Sequence, residues 1–147
     1  MAEKKVKNIF IEGAIPPSFI GDSIAKHSSK TEIGAHSIFL GQVRSDIKYG
    51  KNVKAIEFTA YNDMANEMVY TIREATFAKY PITCMHIYHS LGNIKVGEIC
   101  FFVFTSSAHR QAATEACNEV VERIKKEVPI WGKEVFEDET YQWKENK

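Results

Sequence analysis

The sequence predicts an α+β domain with a largely antiparallel sheet and about three helices. The apolar run at residues 99–104, Ile-Cys-Phe-Phe-Val-Phe, is short and rich in β-branched and aromatic residues, as is typical of a strand buried on both faces. Directly after it, apolar residues recur at helical spacing from Ala112 to Ile124. Over the whole chain the predicted order is β-α-β-β-α-β-β-α-β, which mixes hairpins with helices and so favours an α+β fold.

The amino-terminal part of the chain is predicted to form a strand, a short helix and a hairpin. Residues 8–15 suit a strand that two prolines end, and the helix begins at Pro17 or Ser18. Residues 35–43 and 53–60 suit two strands that pair across a polar, basic loop, and Gly41 suits a bulge. The residues expected to be buried on the short helix are Phe19, Ile20 and Ile24.

The remainder is predicted to hold two longer helices. One begins at Asn62 or Asp63 and ends near Lys79. Residues 83–90 suit a strand, residues 91–98 a turn region, and residues 131–136 a last strand. The second long helix follows the central strand; Ser106 or Ser107 is expected to cap it, and Pro129 to end it. The stripe expected to be buried on the first long helix is Met64, Met68, Ile72 and Ala75.

Length and composition indicate one soluble domain spanning residues 1–147. Hydrophobic residues make up 44% of the chain and charged residues 26%, and the formal net charge is zero, so no overall field attracts nucleic acid or a membrane surface. The three cysteines form no Cys-x-x-Cys pair, which fits a reducing compartment. No apolar stretch is long enough to span a membrane and the first residues lead into no signal-peptide core, so we expect a cytoplasmic protein.

Cysteine and metal chemistry are weakly indicated. Cys84 and His86 share one face of a predicted strand, so a Cys–His pair is conceivable, although nothing nearby would lower the thiol pKa. Cys100 and Cys117 lie on apolar faces, where a free cysteine is a small hydrophobic residue. His86 and His89 are three apart, which on a strand places them on opposite faces. We therefore predict no metal site.

Basic residues gather at the two ends of the long carboxyl-terminal helix. His109 and Arg110 fall in its first turn, where unpaired N–H groups and the helix dipole favour an anion, so two cations there make sense if an anion binds. Lys125 and Lys126 fall in its last turn, and Lys133 follows. A solvated surface is the simpler interpretation for Lys126. Lys125 or Lys133, if partly buried, could act as nucleophile or acid–base group.

Three segments carry a resemblance to a known family. They are residues 34–44 (GAHSIFLGQVR), 105–110 (TSSAHR) and 125–134 (KKEVPIWGKE). In this order and spacing they resemble the large, catalytic subunit of molybdopterin synthase, and the similarity extends over about residues 6–143.

The resemblance implies an α/β-hammerhead-like fold and a sulfurtransferase of molybdenum cofactor biosynthesis. Proteins of this family convert precursor Z, a cyclic pyranopterin monophosphate, into molybdopterin by adding two sulfurs as a dithiolene. The sulfur arrives as a thiocarboxylate on the carboxyl-terminal Gly-Gly tail of a small ubiquitin-like subunit, which threads into the large subunit. The implied assembly is a heterotetramer, in which a homodimer of large subunits carries a small subunit at each end. The large subunit needs no metal or other cofactor of its own.

The same resemblance assigns roles to individual residues. Phe39 lies at a position that lines the pocket, and Lys125 matches the lysine at the end of the tail channel, central to the chemistry. The residues that match those holding the anionic pterin substrate are Arg44, His109 and Arg110.

The chain departs from the family at the second catalytic lysine. The family usually has a lysine directly after the tryptophan, where this chain has Gly132, and Lys133 comes one place later. On a strand, a shift of one residue sends the side chain to the opposite face. Either a β-bulge at Gly132 restores its direction, or the role of this lysine is relaxed in this chain. Glycine suits a bulge, so we expect Lys133 to serve as the second catalytic lysine.

The predicted anion site is built from two chains. Arg110 and Lys125 are 15 positions apart on what the pattern predicts as one helix, which separates their backbones by roughly 22 Å. A two-fold dimer can bring one chain's helix start near the other chain's helix end.

Two alternatives to the enzyme remain. The first is a non-catalytic module that binds a ubiquitin-like Gly-Gly tail or a phosphorylated metabolite, having lost turnover through Gly132. The second is an unrelated α+β anion-binding domain. Formation of the dithiolene from precursor Z would distinguish the enzyme from both alternatives.

Overall fold

The computed structural model describes residues 5–145 and confirms the α+β class. The three helices in this part of the chain are α1 (Pro17–Ala25), α2 (Asn62–Lys79) and α3 (Arg110–Glu127). Its eight strands are β1 (Phe10–Glu12), β2 (Ala35–Gln42), β3 (Ile47–Lys48), β4 (Lys51–Ala60), β5 (Ile82–Lys95), β6 (Ile99–Ser107), β7 (Ile130–Phe136) and β8 (Tyr141–Trp143). No helix among residues 5–145 is both long and apolar enough to cross a membrane.

The strands form one largely antiparallel sheet in the order β2-β6-β5-β4-β7-β8. Strand β1 pairs with β5 in the parallel sense, and β3 forms a short hairpin with β4. The hairpin predicted between β2 and β4 is wrong, because β2 pairs with β6, and β4 lies between β5 and β7. The bulge predicted near Gly41 is confirmed by the register shift between Gly41 and Gln42.

Strand β5 joins the two halves of the sheet. Its first part pairs with β6 and its last residues pair with β4. The predicted turn at 91–98 is therefore wrong over most of its length. The backbone changes direction at Gly92, whose φ of +91° is favourable for glycine alone among common residues. Strand β5 thus continues through Gly92, although a glycine at this position in the sequence is typical of a turn.

Strand β6 lies at the centre of the core and is buried on both faces, as predicted. One face packs against α2 and α3, with Val103 among its contacts. The other face packs against α1 through Phe102 and Phe104. Helix α3 follows β6 almost directly, so the central strand fixes where this helix begins.

The buried face of α3 follows the predicted spacing, whereas that of α2 is shifted by one residue. On α2 the buried residues are Ala65, Val69, Ile72 and Thr76. Met64 is exposed, and Thr76 can be buried because its hydroxyl donates a hydrogen bond to the carbonyl oxygen of Ile72. Ile24 of α1 is also exposed, contrary to the prediction. The buried residues of α3 are Ala113, Ala116, Cys117, Val120, Val121 and Ile124.

The predicted side-chain caps are wrong. Helix α2 has Tyr61 at its N-cap and α3 has His109, and neither side chain makes a capping hydrogen bond. Ser107 belongs to β6, but its hydroxyl still accepts a hydrogen bond from the backbone N–H of Ala113 at 3.1 Å. It therefore satisfies one amide of the first helical turn from outside the cap position.

Candidate functional site

A narrow cavity of about 90 Å³ lies between the carboxyl-terminal end of α3 and the sheet. Its apolar wall includes Ile56, Phe58 and Phe101. Two lysines from different elements, Lys125 on α3 and Lys144 just after β8, reach the same cavity. Apolar walls reduce the local dielectric, so an anion inside would interact strongly with these amines.

A wider groove of about 880 Å³ adjoins this cavity, and Lys125 and Lys144 line both. Phe39 and Arg44 also line the groove, so the structure brings three of the residues assigned by resemblance, Phe39, Arg44 and Lys125, to one surface. The ring of Phe39 packs edge-on against Phe101 at 5.6 Å between centroids. Arg44 pairs with Asp46 at 3.2 Å, but its side chain stays 75% exposed.

His109 and Arg110 lie elsewhere. They line a shallow surface pocket at the amino-terminal end of α3, together with Gln111. Helix α3 is continuous from Arg110 to Glu127, so about 22 Å separates the backbones of Arg110 and Lys125. Within one chain, the structure does not bring these two groups of cations together.

The bulge predicted at Gly132 is wrong. The pairing of β7 with β4 is regular there, with Gly132 opposite Phe58 and Lys133 opposite Glu57; the irregularity in this ladder lies between Val53 and Ala55. With a regular register, Gly132 and Lys133 face opposite sides of the sheet.

Lys133 therefore points away from the cavity. Its amine pairs with Glu57 at 3.1 Å and lies 4.4 Å from the centre of the Tyr141 ring. Its predicted role as the second catalytic lysine has no support from this geometry. Gly132, in contrast, lines the cavity itself.

Lys144 was not among the site residues predicted from the sequence. Its backbone N–H donates a hydrogen bond to the carbonyl oxygen of Gly132 at 2.8 Å, which continues the β7–β8 ladder past Trp143. Burial lowers the pKa of the Lys144 amine, and the charge of Lys125 lowers it further. The signal that could have found it is the alternating Tyr-Gln-Trp segment at 141–143, which forms strand β8.

Neutral groups surround most of the cavity. Burial lowers the pKa of His89 to about 4 and raises the pKa of the Cys100 thiol, so both side chains are uncharged near neutral pH. Glu134 lies in the adjoining groove, almost fully buried, and pairs with Lys48 at 2.7 Å. None of the described residues that line the cavity is acidic, so an anion that enters it would be attracted by both amines.

Cys84 and His86 form a second polar cluster together with His27, which follows α1. One ring nitrogen from each histidine and Sγ of Cys84 lie within 4.8 Å of one another. The Nε2 atoms of His27 and His86 are 3.0 Å apart, and Nδ1 of His27 lies 2.7 Å from the carbonyl oxygen of Ser23. Since that Nδ1 must donate, Nε2 of His27 accepts from Nε2–H of His86. Lys30 donates to Cys84 at 3.0 Å.

This second cluster is separate from the cavity. Cys84 and His86 alternate along β5 with Met85 and Ile87, which pack in the core beneath α2 and α3. The cluster therefore lies on the α1 side of the sheet, and its geometry is explained by hydrogen bonds.

Fold and site together define a class: an α+β domain whose last helix and antiparallel sheet enclose a lysine-lined cavity beside a cationic groove. Residues 17–127 match the MoaE protein family. This match covers most of the chain, and the chain therefore belongs to the MoaE family.

Sequence relatives support this assignment. The chain is 39% identical over 119 residues to the molybdopterin synthase catalytic subunit of Pyrococcus abyssi, covering 81% of this chain and 79% of that protein. It is also 39% identical over 114 residues to the human protein of the same name, covering 78% of this chain and 60% of that protein. The chain spans only 31% of the length of the Drosophila willistoni relative, with 42% identity over 116 residues.

Solved structures show the same fold. Molybdopterin synthase from Staphylococcus aureus superimposes with a TM-score of 0.82 at 30% identity, covering 96% of this chain and 99% of that one. A complex of subunits 1 and 2 of the molybdopterin-converting factor from Helicobacter pylori gives a TM-score of 0.79 at 19% identity, covering 94% and 90%.

Proposed function

We propose that the chain is the catalytic subunit of molybdopterin synthase, which transfers sulfur from the carboxyl-terminal thiocarboxylate of a small ubiquitin-like subunit to precursor Z. The observation that carries the proposal is a narrow cavity that holds Lys125 and adjoins a wider groove holding Arg44 and Phe39. A narrow anion-binding channel beside a wider cationic groove suits a slender donor and a larger anionic acceptor.

The cavity suits the donor tail. At about 90 Å³ it has room for a slender chain end, and two of the residues that line it, Gly41 and Gly132, have no side chain to obstruct it. A Gly-Gly tail likewise has no side chains, so its backbone can enter a channel of this width. The apolar wall excludes water, and this strengthens the attraction between a terminal thiocarboxylate and Lys125.

The groove suits the acceptor. Precursor Z is anionic and carries a ring system, and Arg44 can bind its phosphate while Phe39 offers an apolar surface. The ion pair between Arg44 and Asp46 is exposed, and exposed pairs contribute only about 0–1 kcal/mol. Arg44 can therefore exchange this partner for a phosphate at little energetic cost.

Each sulfur transfer replaces an oxygen substituent on a carbon of the substrate by sulfur. The thiocarboxylate sulfur forms a C–S bond to that carbon as its C–O bond breaks, and the oxygen leaves as water or with the phosphate; water then cleaves the acyl C–S bond. The small subunit leaves with a carboxylate, and the sulfur stays on the substrate; two such transfers give the dithiolene. Lys125 acts at the acyl group, where its ammonium stabilises negative charge on the acyl oxygen and its amine can exchange a proton.

Two copies of the chain complete the site. His109 and Arg110 are too far from Lys125 to serve the same pocket within one chain. An isologous dimer can bring His109 and Arg110 of one copy to the groove of the other. We propose this homodimer as the centre of a heterotetramer with one small subunit at each end.

The proposed location is the cytoplasm. The three cysteines, Cys84, Cys100 and Cys117, are free and buried, which suits a reducing compartment.

The non-catalytic alternative rests on one observation, the absence of a lysine side chain at Gly132 while Lys133 points elsewhere. The experiment combines the purified chain with precursor Z and a small subunit that bears either a thiocarboxylate or an ordinary carboxylate at its terminus. The enzyme forms dithiolene with the thiocarboxylate form alone, with two sulfurs added per pterin. Tail binding without any product would support the non-catalytic module.

A further inference from the structure

The cavity face of β7 lacks a side chain at Gly132. A Cβ atom built there would lie 3.0 Å from Cγ2 of Ile56 and 3.2 Å from Cε1 of Phe58, so this position is crowded by β4. Because the residue there is glycine, the strand contributes no amine to the cavity at this point. Any second cation must come from another element.

Lys144 stands directly opposite Gly132 in the antiparallel ladder. The register pairs Lys133 with Trp143, and the hydrogen bond from the Lys144 N–H to the Gly132 carbonyl oxygen extends it by one residue. Residues opposite each other in an antiparallel pair project to the same face, with Cβ atoms about 5 Å apart. The side chain of Lys144 thus crosses the surface that Gly132 leaves uncovered, and it lines both the cavity and the groove.

The neighbours of Lys144 act in both directions on its amine. Lys125 on α3 lowers its pKa most after burial, Cys100 on β6 and Glu134 on β7 raise it, and Arg44 after β2 lowers it by the smallest amount. Glu134 already pairs with Lys48 at 2.7 Å and accepts a hydrogen bond from Gln142 at 3.2 Å. Within residues 5–145, no ion pair joins Lys144 to an acidic side chain. A half-buried amine in this position favours an anionic ligand.

We propose that Lys144 is the second amine of this site and that, together with Lys125, it holds the anionic end of the donor tail. The ligand is a polypeptide carboxyl terminus: a thiocarboxylate before transfer and a carboxylate after it, with one negative charge in both forms. The inference rests on the proposed function for the identity of this tail. With Lys144 the site has two cations, although Gly132 on β7 supplies none.

Binding tests this role without turnover. The probe is the small ubiquitin-like subunit with its carboxyl-terminal Gly-Gly carboxylate intact, compared with the same protein lacking both glycines. Lys144→Gln should weaken binding of the intact probe about tenfold or more, because an ionic hydrogen bond in a partly buried cavity is lost. It should leave binding of the shortened probe unchanged. Lys144→Met, which keeps the apolar stem, should behave in the same way.

Lys133→Gln is the matched control. Lys133 lies across the ladder from Trp143 and pairs with Glu57 on the other face, so its loss should not change binding of either probe. Equal losses in Lys144→Gln and Lys133→Gln would overturn the proposal, as would wild-type binding by folded Lys144→Gln and Lys144→Met. An effect confined to the KM for precursor Z would also overturn it, because Lys144 would then serve the acceptor. If wild-type protein binds the tail but makes no dithiolene, the proposed function fails while this comparison still decides the role of Lys144.

Discussion

Lys125 is the residue on which the proposed chemistry depends. Its side chain lines both the cavity and the groove, so it can contact the donor tail and the acceptor. Lys125→Ala should lower the rate of dithiolene formation by about 100-fold or more, which is typical for the loss of one acid–base group. Folding should persist, and binding of the small subunit should weaken no more than in Lys144→Gln, because the two amines share the charged end of its tail.

Lys126→Ala provides the control for Lys125→Ala. Lys126 is the next residue on α3, but its side chain is 75% exposed and lies 3.7 Å from Glu122. Its removal should leave turnover close to that of the wild-type protein. Wild-type turnover in Lys125→Ala, or equal losses in both variants, would contradict the role assigned to Lys125.

His89 makes stability depend on pH. Burial lowers its pKa in the folded protein to about 4, with smaller contributions from Lys125 and Lys144, and the value in the unfolded chain is near 6.5. Between these values the unfolded state binds a proton that the folded state does not. Stability is therefore greatest above about pH 6.5 and falls as the pH drops towards 4, by up to about 3 kcal/mol.

The measurement is the free energy of unfolding in urea at pH 7 and at pH 4.5. His89→Phe should reduce the difference between the two, since phenylalanine cannot take up a proton and the ring fits beside Phe58 and Phe101. His86, whose pKa burial also lowers to about 4, should retain part of the dependence. An unchanged difference in His89→Phe would show that His89 is not its source.

At the residue scale, the site residues that could be predicted from the sequence are those that lie in continuous motifs. Phe39, Arg44 and Lys125 lie within matched segments and come together at the groove. The prediction for Lys133 failed because a bulge and a regular strand are both compatible with a glycine in the sequence. Lys144 was missed because the short Tyr-Gln-Trp segment can indicate a strand but not its pairing with β7, and that pairing places the lysine at the cavity.

At the element scale, Gly132 keeps the cavity open where β7 crosses β4. Gly132→Val should place methyl groups against Ile56 and Phe58, since even a Cβ atom comes within 3.0–3.2 Å of their side chains. Overpacking of this kind typically costs about 1–3 kcal/mol. We expect lower stability in urea unfolding and a clear loss of dithiolene formation.

Gly21 offers a comparison for Gly132→Val. A Cβ atom at Gly21, on α1, meets nothing within 4 Å. Gly21→Val should therefore keep both stability and turnover near the wild-type values. A fully active and stable Gly132→Val would mean that the cavity is not the tail channel.

Periodicity predicted whole elements more reliably than their pairing. The buried face of α3 follows from its strict spacing of small and β-branched residues. The face of α2 was misplaced because Met64 is apolar yet exposed, whereas Thr76 is polar yet buried with its hydroxyl satisfied within the helix. Strand β2 pairs with β6 rather than with β4, and this pairing links residues more than 55 positions apart, such as Gly41 and Phe101. A local sequence pattern cannot predict a pairing over that distance.

At the scale of the whole molecule, one unbroken helix separates two cationic regions. Lys125 lies at one end of α3, beside the cavity, and Arg110 lies at the other, in a different surface pocket. A single chain therefore offers two incomplete halves of the proposed site. The central claim is that sulfur transfer takes place in a site that two copies share.

Complementation between two inactive variants tests this claim most directly. Arg110→Ala and Lys125→Ala are purified separately, mixed under conditions that exchange subunits, and assayed for dithiolene formation with the thiocarboxylated small subunit and precursor Z. In a mixed dimer one site receives both substitutions and the other receives neither, so random mixing should restore about a quarter of wild-type activity. Each variant alone, treated in the same way, should remain inactive. If tagged subunits show that exchange has occurred and activity stays at the level of the single variants, the shared site is contradicted.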